Sequence, residues 1–465
     1  MANNKWYKLI WVFAAGLAVS APANVFATNG YFSHGFSTKS KALAGAGVAY
    51  PQDSLAAANN PAGMVFVGKR LDVGAALFSP VRDYTTTGTV LPAGTPDGTP
   101  CAAFGPTGCP FSVGPQSIGS ENELFLIPQF GRNWMLGDNS SAGLSIYGNG
   151  GMNTEWEGGS ARHDDGSGFP GPGSLVTSPG TFGDGTAGVD LSQIFFNGSY
   201  ARKFGSKGQA AWGVSGIIAV QSFEAKGLAN FAPFSTNPSK LSNNGHDIST
   251  GFGFKLGVQG KVMKKLTLGA SYESEISMSE FDDYAGLFAE QGGFDIPATW
   301  TVGLALDVTP KSKFVLDIQE IMYSDIAAVG NPFSGLLTGC ATGLDRSQCL
   351  GGSNGAGFGW EDMTIIKFGY QWQSSSKWIW RAGLSTGDQP IPSSEVLFNI
   401  LAPGVMEEHL TFGFTRNLAK GSEINFALMV APSNSISGAN PLDPGQTIEL
   451  KMKQIELAAA WGKKF

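Results

Sequence analysis

Charge is what this chain has least of. Only 14% of its 465 residues are Asp, Glu, Lys or Arg, against about 25% in an ordinary soluble domain. The balance is acidic, net −7, so the basic patch that marks nucleic-acid binding is missing. Histidine is nearly absent. His34, His163, His246 and His409 are the four, and none falls into a Ser/His/Asp order or a metal-ligand spacing. No catalytic residue, metal site or cofactor is therefore expected. Beyond the amino terminus there is no apolar run of about 18 residues, so no segment can cross a bilayer as a helix.

What is present is glycine and aromatic side chains: 65 Gly, 32 Phe and 11 Trp. Lys5 and Lys8 precede a short apolar stretch, Leu9 to Ala18, and Val25-Phe26-Ala27 puts small residues at a cleavage position. This is the pattern of a secretory signal over residues 1–27, removed before Thr28. Export and low charge, without a spanning helix, point to strands that alternate between lipid and lumen. The four cysteines fit export. Cys101 and Cys109 lie close together in one Gly/Pro-rich segment, and Cys340 and Cys349 in another. Local pairing would staple two loops in an oxidising compartment.

The alternation itself is explicit. Trp300, Val302, Leu304, Leu306 and Val308 alternate with Thr301, Gly303, Ala305 and Asp307. Phe252, Phe254, Leu256 and Val258 alternate with Gly253, Lys255, Gly257 and Gln259. One face is large and apolar, the other small or polar, which in a membrane barrel means lipid and lumen. Counting such segments predicts strands near 70–79, 123–134, 140–150, 190–204, 209–223, 250–263, 266–278, 298–308, 313–323, 361–372, 377–386, 407–416, 420–431 and 447–465. That is an antiparallel all-β barrel of about fourteen strands, an even number, as in bacterial outer-membrane barrels. Tight turns such as Gly137-Asp138-Asn139 and Thr309-Pro310-Lys311 alternate with long segments near 80–122, 151–189, 224–249, 279–297, 324–360, 387–406 and 432–446. Long loops belong to the outer surface. Tyr272, Tyr370, Trp372, Trp378 and Trp461 near strand ends read as an interfacial girdle. The chain closes on Phe465 after an alternating strand.

Residues 28–68 do not fit this grammar. They are rich in small residues, and Ser54 to Ala58 is expected to form a short helix capped by Asp53 and ending before Pro61. About forty residues cannot bury a stable core alone, whereas the lumen of a barrel would supply one. The segment is expected to plug the lumen, and residues 69–465 to form the barrel.

Asn29-Gly30-Tyr31-Phe32, then Gly45-Ala46-Gly47-Val48-Ala49, and then Asn60-Pro61-Ala62-Gly63-Met64 resemble the N-terminal hatch of the FadL/TodX family of outer-membrane transporters for long-chain fatty acids and aromatic hydrocarbons. Tyr147 to Thr154, Ile296-Pro297-Ala298-Thr299-Trp300 and Glu407-Glu408-His409-Leu410-Thr411-Phe412-Gly413 extend the resemblance along the chain. It implies a monomeric fourteen-strand barrel in the bacterial outer membrane, embedded in lipid and lipopolysaccharide, with no nucleic-acid partner and no enzymatic activity. It further implies passive uptake of hydrophobic small molecules. Outer loops capture the ligand, the hatch moves, and the ligand leaves sideways through the wall.

Residues are proposed for each step. Gly148, Gly150 and Gly151 interrupt the third strand and are candidates for the side opening, since glycine in a strand marks a bulge or close approach. Asn60-Pro61-Ala62 would lock a turn at the wall. Phe231 and Phe234 in one outer segment, with Phe281 and Phe288 in the next, are candidates for capture. A fatty acid would need a cation for its carboxylate, and Lys226, Lys240, Lys255, Lys367 and Arg381 are available. A hydrocarbon would need none. His34 is a candidate sensor of ligand or pH. A general porin for polar solutes, an outer-membrane lipid hydrolase and an adhesin are the rival functions.

Overall fold

The computed structural model describes residues 29–104, 108–167, 171–205 and 208–465. The expected signal segment and Thr28 lie outside the described residues, as do Ser206 and Lys207 of one turn. Fourteen strands form a closed antiparallel barrel in chain order. They are β1 (Arg70–Gly88), β2 (Phe125–Met135), β3 (Ser140–Asn153), β4 (Gly188–Phe204), β5 (Ala210–Lys226), β6 (Asp247–Met263) and β7 (Leu266–Glu273). The second half is β8 (Thr299–Thr309), β9 (Ser312–Ile321), β10 (Met363–Gln373), β11 (Trp378–Gly387), β12 (Glu408–Asn417), β13 (Ser422–Asn440) and β14 (Asp443–Lys464). β14 closes the ring on β1, with Arg70 opposite Lys464 and Gly88 opposite Gln446.

The period-2 pattern decides which way each residue points. Phe252, Phe254, Leu256 and Val258 are exposed on the outside, while Lys255 and Gln259 are buried inside. Tyr272, Tyr370, Trp372 and Trp461 are exposed near strand ends. Trp378, Trp380, Phe412, Phe414 and Phe426 form a contiguous ring stack across β11 to β13, and the Arg416 guanidinium lies 5.3 Å from the Trp378 ring. Aromatics at this level match the interface between hydrocarbon and headgroups.

Strand lengths depart from expectation at the seam. β1 has 19 residues, β13 19 and β14 22, where about 9–11 suffice to span. The segment 432–446, expected as a long loop, is therefore a hairpin that rises above the membrane. β13 continues through a bulge between Ala431 and Asn434 to Asn440, and β14 starts at Asp443. β1 likewise continues past Ser79 into the expected loop. Disulfides join Cys101 to Cys109 and Cys340 to Cys349, both in outer segments.

Residues 29–67 lie against the inner face of this barrel. The short helix differs from expectation. It covers Ala56–Asn59, and its N-cap is Leu55, without a side-chain cap bond. Asp53 instead accepts from the Leu55 N–H at 3.1 Å and from the Ser37 hydroxyl at 2.8 Å.

Candidate functional site: the N-terminal segment, the kinked wall and the outer apolar pocket

The inner face is built to hold the N-terminal segment. Asn60 caps the one-turn helix Pro61–Gly63 by accepting from the Ala62 N–H at 3.0 Å. Its amide also donates to the Val48 carbonyl at 2.7 Å and to the Val258 carbonyl of β6 at 3.1 Å. This seat exists because the wall has no side chain there. A Cβ at Gly257 would lie 2.0 Å from Asn60 Oδ1, and one at Gly213 would lie 2.4 Å from the Pro61 carbonyl carbon.

Charged groups complete the seat. Asp317 of β9 accepts from the N–H groups of Gly47 at 2.7 Å and Val48 at 2.9 Å. Gly45 has φ +85°, and a Cβ there would lie 1.7 Å from the His34 carbonyl oxygen. Lys41 pairs with Glu456 at 2.6 Å, and Lys39 pairs with Glu423. Three cations expected as carboxylate partners are used here as well. Lys255 pairs with Glu273 at 2.8 Å and donates to the Ala58 carbonyl. Arg381 donates to Gln52 at 2.9 Å and Thr415 at 2.8 Å. Lys367 donates to Gln319 at 2.7 Å. Lys226 and Lys240 pair with Glu224 and Asp283 in the outer segments. His34 is buried, its ring stacked on that of His409 at 6.0 Å.

At its outer end the segment meets β3. Ladder pairing between β2 and β3 ends at Gln129 opposite Tyr147, although β2 stays paired with β1 as far as Phe125 opposite Phe78. Pro128, with no N–H to give, stands just beyond the last pair. From Gly148 onward β3 loses its in-and-out alternation, and every residue to Asn153 is buried. A bulge between Gly148 and Gly150 turns the strand. Its new partner is the N-terminal segment: Ser33 N–H donates to the Asn149 carbonyl at 2.8 Å, and Gly151 N–H to the Tyr31 carbonyl at 2.9 Å. On the far side β1 resumes pairing only at Asp83. The wall between β1 and β3 is thus interrupted at this height among the described residues, and Asn29 to Ser33 lie along the interruption.

The tip is clasped from above. Asn29 and Phe32 exchange backbone hydrogen bonds across a turn with Gly30 at φ +60°. The Tyr323 hydroxyl donates to the Asn29 carbonyl at 2.5 Å, and its ring packs on Tyr31 at 5.1 Å. Trp360 packs on Tyr31 at 5.9 Å and donates to Asn399 Oδ1 at 2.6 Å.

Asn399 belongs to a turn that also forms an outer apolar pocket. Phe398 and Leu401 of that turn line it with Phe223, Leu228, Phe231 and Phe288. The space open to a solvent molecule in it is small, about 30 Å³. Of the aromatics named from sequence, Phe231 and Phe288 line this pocket. Phe281 packs behind it on Phe223 at 5.4 Å, and Phe234 packs on the same cluster from the side. The same turn reaches the end of β3, where Thr154 Oγ1 donates to the Leu401 carbonyl at 2.8 Å and Trp156 Nε1 to the Ile400 carbonyl at 3.0 Å. A larger concavity of about 610 Å³, lined by Val258, Leu268, Val302 and Ile318, opens on the outer face of the wall, where acyl chains would cover it. Among the described residues no cluster of His, Cys, Asp or Glu could hold a metal ion.

Sequence reasoning missed Tyr323, Trp360 and Asn399, because nothing local marks three residues that meet only through the barrel.

A family profile described as outer membrane protein transport protein (OMPP1/FadL/TodX) matches residues 190–453. The chain belongs to that family. It is an outer-membrane transport protein and not an enzyme. Solved structures agree on the fold. The Pseudomonas putida toluene transporter TodX is 16% identical, with TM-score 0.61, over 93% of this chain and 99% of that one. A Pseudomonas aeruginosa FadL homologue is 15% identical, with TM-score 0.62, over 94% and 100%. The Ralstonia pickettii toluene transporter TbuX is 16% identical, with TM-score 0.57, over 93% and 99%. A comparison with curated proteins finds none that matches.

Proposed function

We propose that this chain, acting as a monomer, carries long-chain fatty acids or hydrocarbons passively across the outer membrane. Residues 29–67 act as a hatch, the outer apolar pocket captures ligand, and the ligand leaves sideways through the interruption between β1 and β3. One observation carries this reading: beyond Tyr147 the third strand keeps its pairing with β4 but exchanges β2 for the N-terminal segment.

An apolar solute gains nothing from a water-filled pore, but an apolar pocket removes its surface from water, at about 25 cal/mol per Å². The pocket is nearly filled by its own rings, so a ligand has to push them apart. The turn bearing Phe398 and Leu401 is bonded both to Trp360 above the tip and to Thr154 beyond the kink. Displacing that turn would loosen Trp360 from Tyr31 and free the tip from Gly150. The ligand would then move from one apolar surroundings to another without returning to water. The buried ion pairs lower down would keep the lumen closed to ions meanwhile.

The test is uptake by a deletion strain. Loss of the gene is expected to slow uptake of fatty acids or monoaromatics, and the purified protein is expected to pass little current in planar bilayers. Unchanged uptake, or steady large conductance of the kind a porin gives, would refute the reading.

A further inference from the structure

Arg82 stands over the interruption in the wall. It lies on the inner face of β1, beyond the last pair of β1 with β2, and is 3% exposed. Its two terminal nitrogens donate to the backbone carbonyls of Asn153, at the end of β3, and Asn122, before β2. The guanidinium thus bridges the three strands whose ladder is broken below it. Its ring neighbour is Phe125, at 5.8 Å. The Nε–H has no acceptor, and Arg82 forms no ion pair among the described residues. Glu123 attracts it only from the exposed surface.

This sets Arg82 apart from the cations deeper in the lumen. Lys39, Lys41, Arg70 and Lys255 each touch a carboxylate; Lys367 and Arg381, like Arg82, touch only neutral oxygens, but buried carboxylates attract them, Asp317 and Glu423 respectively. Two carbonyls accept hydrogen bonds but cancel no charge. A buried guanidinium without a counter-ion is costly. The small cavity around it is lined mainly by apolar groups, Phe78, Pro80, Met152, Trp360 and Met452, with Gly30 of the hatch tip, and by one further polar side chain, Asn153, whose amide has no hydrogen-bond partner.

We infer that Arg82 receives the carboxylate of an amphipathic monocarboxylic acid as the acid reaches the wall opening. The ligand class is an acid with an apolar tail rather than a neutral hydrocarbon. A guanidinium carries five N–H donors. With two committed to carbonyls, the Nε–H and a remaining terminal N–H form the side-on fork that fits a carboxylate in two parallel hydrogen bonds. The acid supplies the missing negative charge, and its tail lies along the apolar lining. A phosphate dianion would bring a second charge that nothing here balances, and it would pay more to leave water. The inference rests on the uptake reading and specifies its cargo.

The test is binding by the full-length purified protein in detergent, with dodecanoic acid and its methyl ester as probes. Wild type is expected to bind the acid at least about tenfold more tightly than the ester, the scale of charge-assisted hydrogen bonds. Arg82→Met is expected to bring the acid down to the ester's affinity and leave the ester unchanged, which also shows that the variant is folded. Arg82→Lys, a point charge without the fork, is expected to fall between. Equal binding of acid and ester by wild type, or equal weakening of both by Arg82→Met, would overturn the inference alone. If wild type bound neither probe, the uptake reading would fall with it.

Discussion

Gly150 lies directly against the carbonyl of Tyr31. A Cβ at Gly150 would sit 1.9 Å from that oxygen and 3.1 Å from the Phe32 Cα. No side chain can be placed there while the N-terminal segment stays paired with β3. Substituting Gly150→Val should therefore do two things. It should expel the tip from the kink, and it should put a branched side chain into the proposed opening. Uptake of hydrophobic ligand into liposomes is expected to fall at least about tenfold, because the exit path and its seal are lost together. The barrel ladder elsewhere is untouched, so heat-modifiable migration on gels should persist. Unchanged uptake by a folded variant would remove the opening from the mechanism.

Much of this architecture could be read from residues alone, for a physical reason. Lipid on one side and lumen on the other force strict alternation, as in Trp300 to Val308, and together with the tight turns this marks the fourteen expected segments, each of which overlaps a strand. Alternation fails where lipid ends. Residues 432–440 of β13 stand in water on their outer face, so Pro432, Ser433 and Asn434 read as loop although the ladder resumes at Asn434 after the bulge. Pro80 misled in the same way. The expected strand ends at Ser79, just before it, yet β1 runs on through Pro80, which stands opposite Gln454 of β14. Arg82, two residues on, was hidden by that misreading. The glycines at 148, 150 and 151 were visible as a break in pattern. Their partner was not, because a contact between residues 31 and 150 leaves no local trace. Likewise Lys255 and Arg381 were legible as lumen cations, but only the folded chain shows that Ala58 and Gln52 already use them.

The Asp317 carboxylate holds the segment by two main-chain N–H groups, those of Gly47 and Val48. Asp317→Ala would leave two buried donors without an acceptor, at about 1–3 kcal/mol each. The segment should loosen while the barrel ladder stays intact. Single-channel recordings are expected to show more frequent or larger ion currents than wild type. Asp317→Asn keeps an oxygen acceptor and should lie nearer wild type. Equal, low conductance in all three proteins would mean that other contacts suffice to hold the segment in place.

Glu275 and Asp295 lie beyond the outer ends of β7 and β8. Burial raises Glu275 above the usual carboxylate range, and Asp295 raises it further. Burial likewise raises Asp295, against the lowering effect of the Met278 N–H that it accepts. Groups raised on folding bind more protons in the folded state. Their contribution therefore favours the folded state in acid and fades as pH climbs from about 4 through the raised values. Residues 274–298 should resist a pH-tolerant protease a few-fold better near pH 5 than near pH 7.5, a modest effect because both groups are partly exposed. Asp295→Asn should flatten this dependence, and a slope of the opposite sign would show that the two carboxyls are not the groups responsible.

The outer pocket makes the most direct prediction about ligand size. Phe231 packs on Phe182 at 5.6 Å and on Phe398 at 5.4 Å, and these rings leave little open space in the pocket. Phe231→Ala would remove a buried ring at about 3–5 kcal/mol of local packing. The pocket would then accept a ligand without first displacing Phe398. Two-ring aromatic hydrocarbons should gain affinity over single-ring ones, as read by competition binding in detergent. The coupling should suffer in the same variant, since ligand no longer has to push the turn at Phe398. Tighter binding with slower uptake is thus the expected signature. If binding and uptake instead rose together, the turn would not be the part that transmits occupancy of the pocket to the tip at Tyr31.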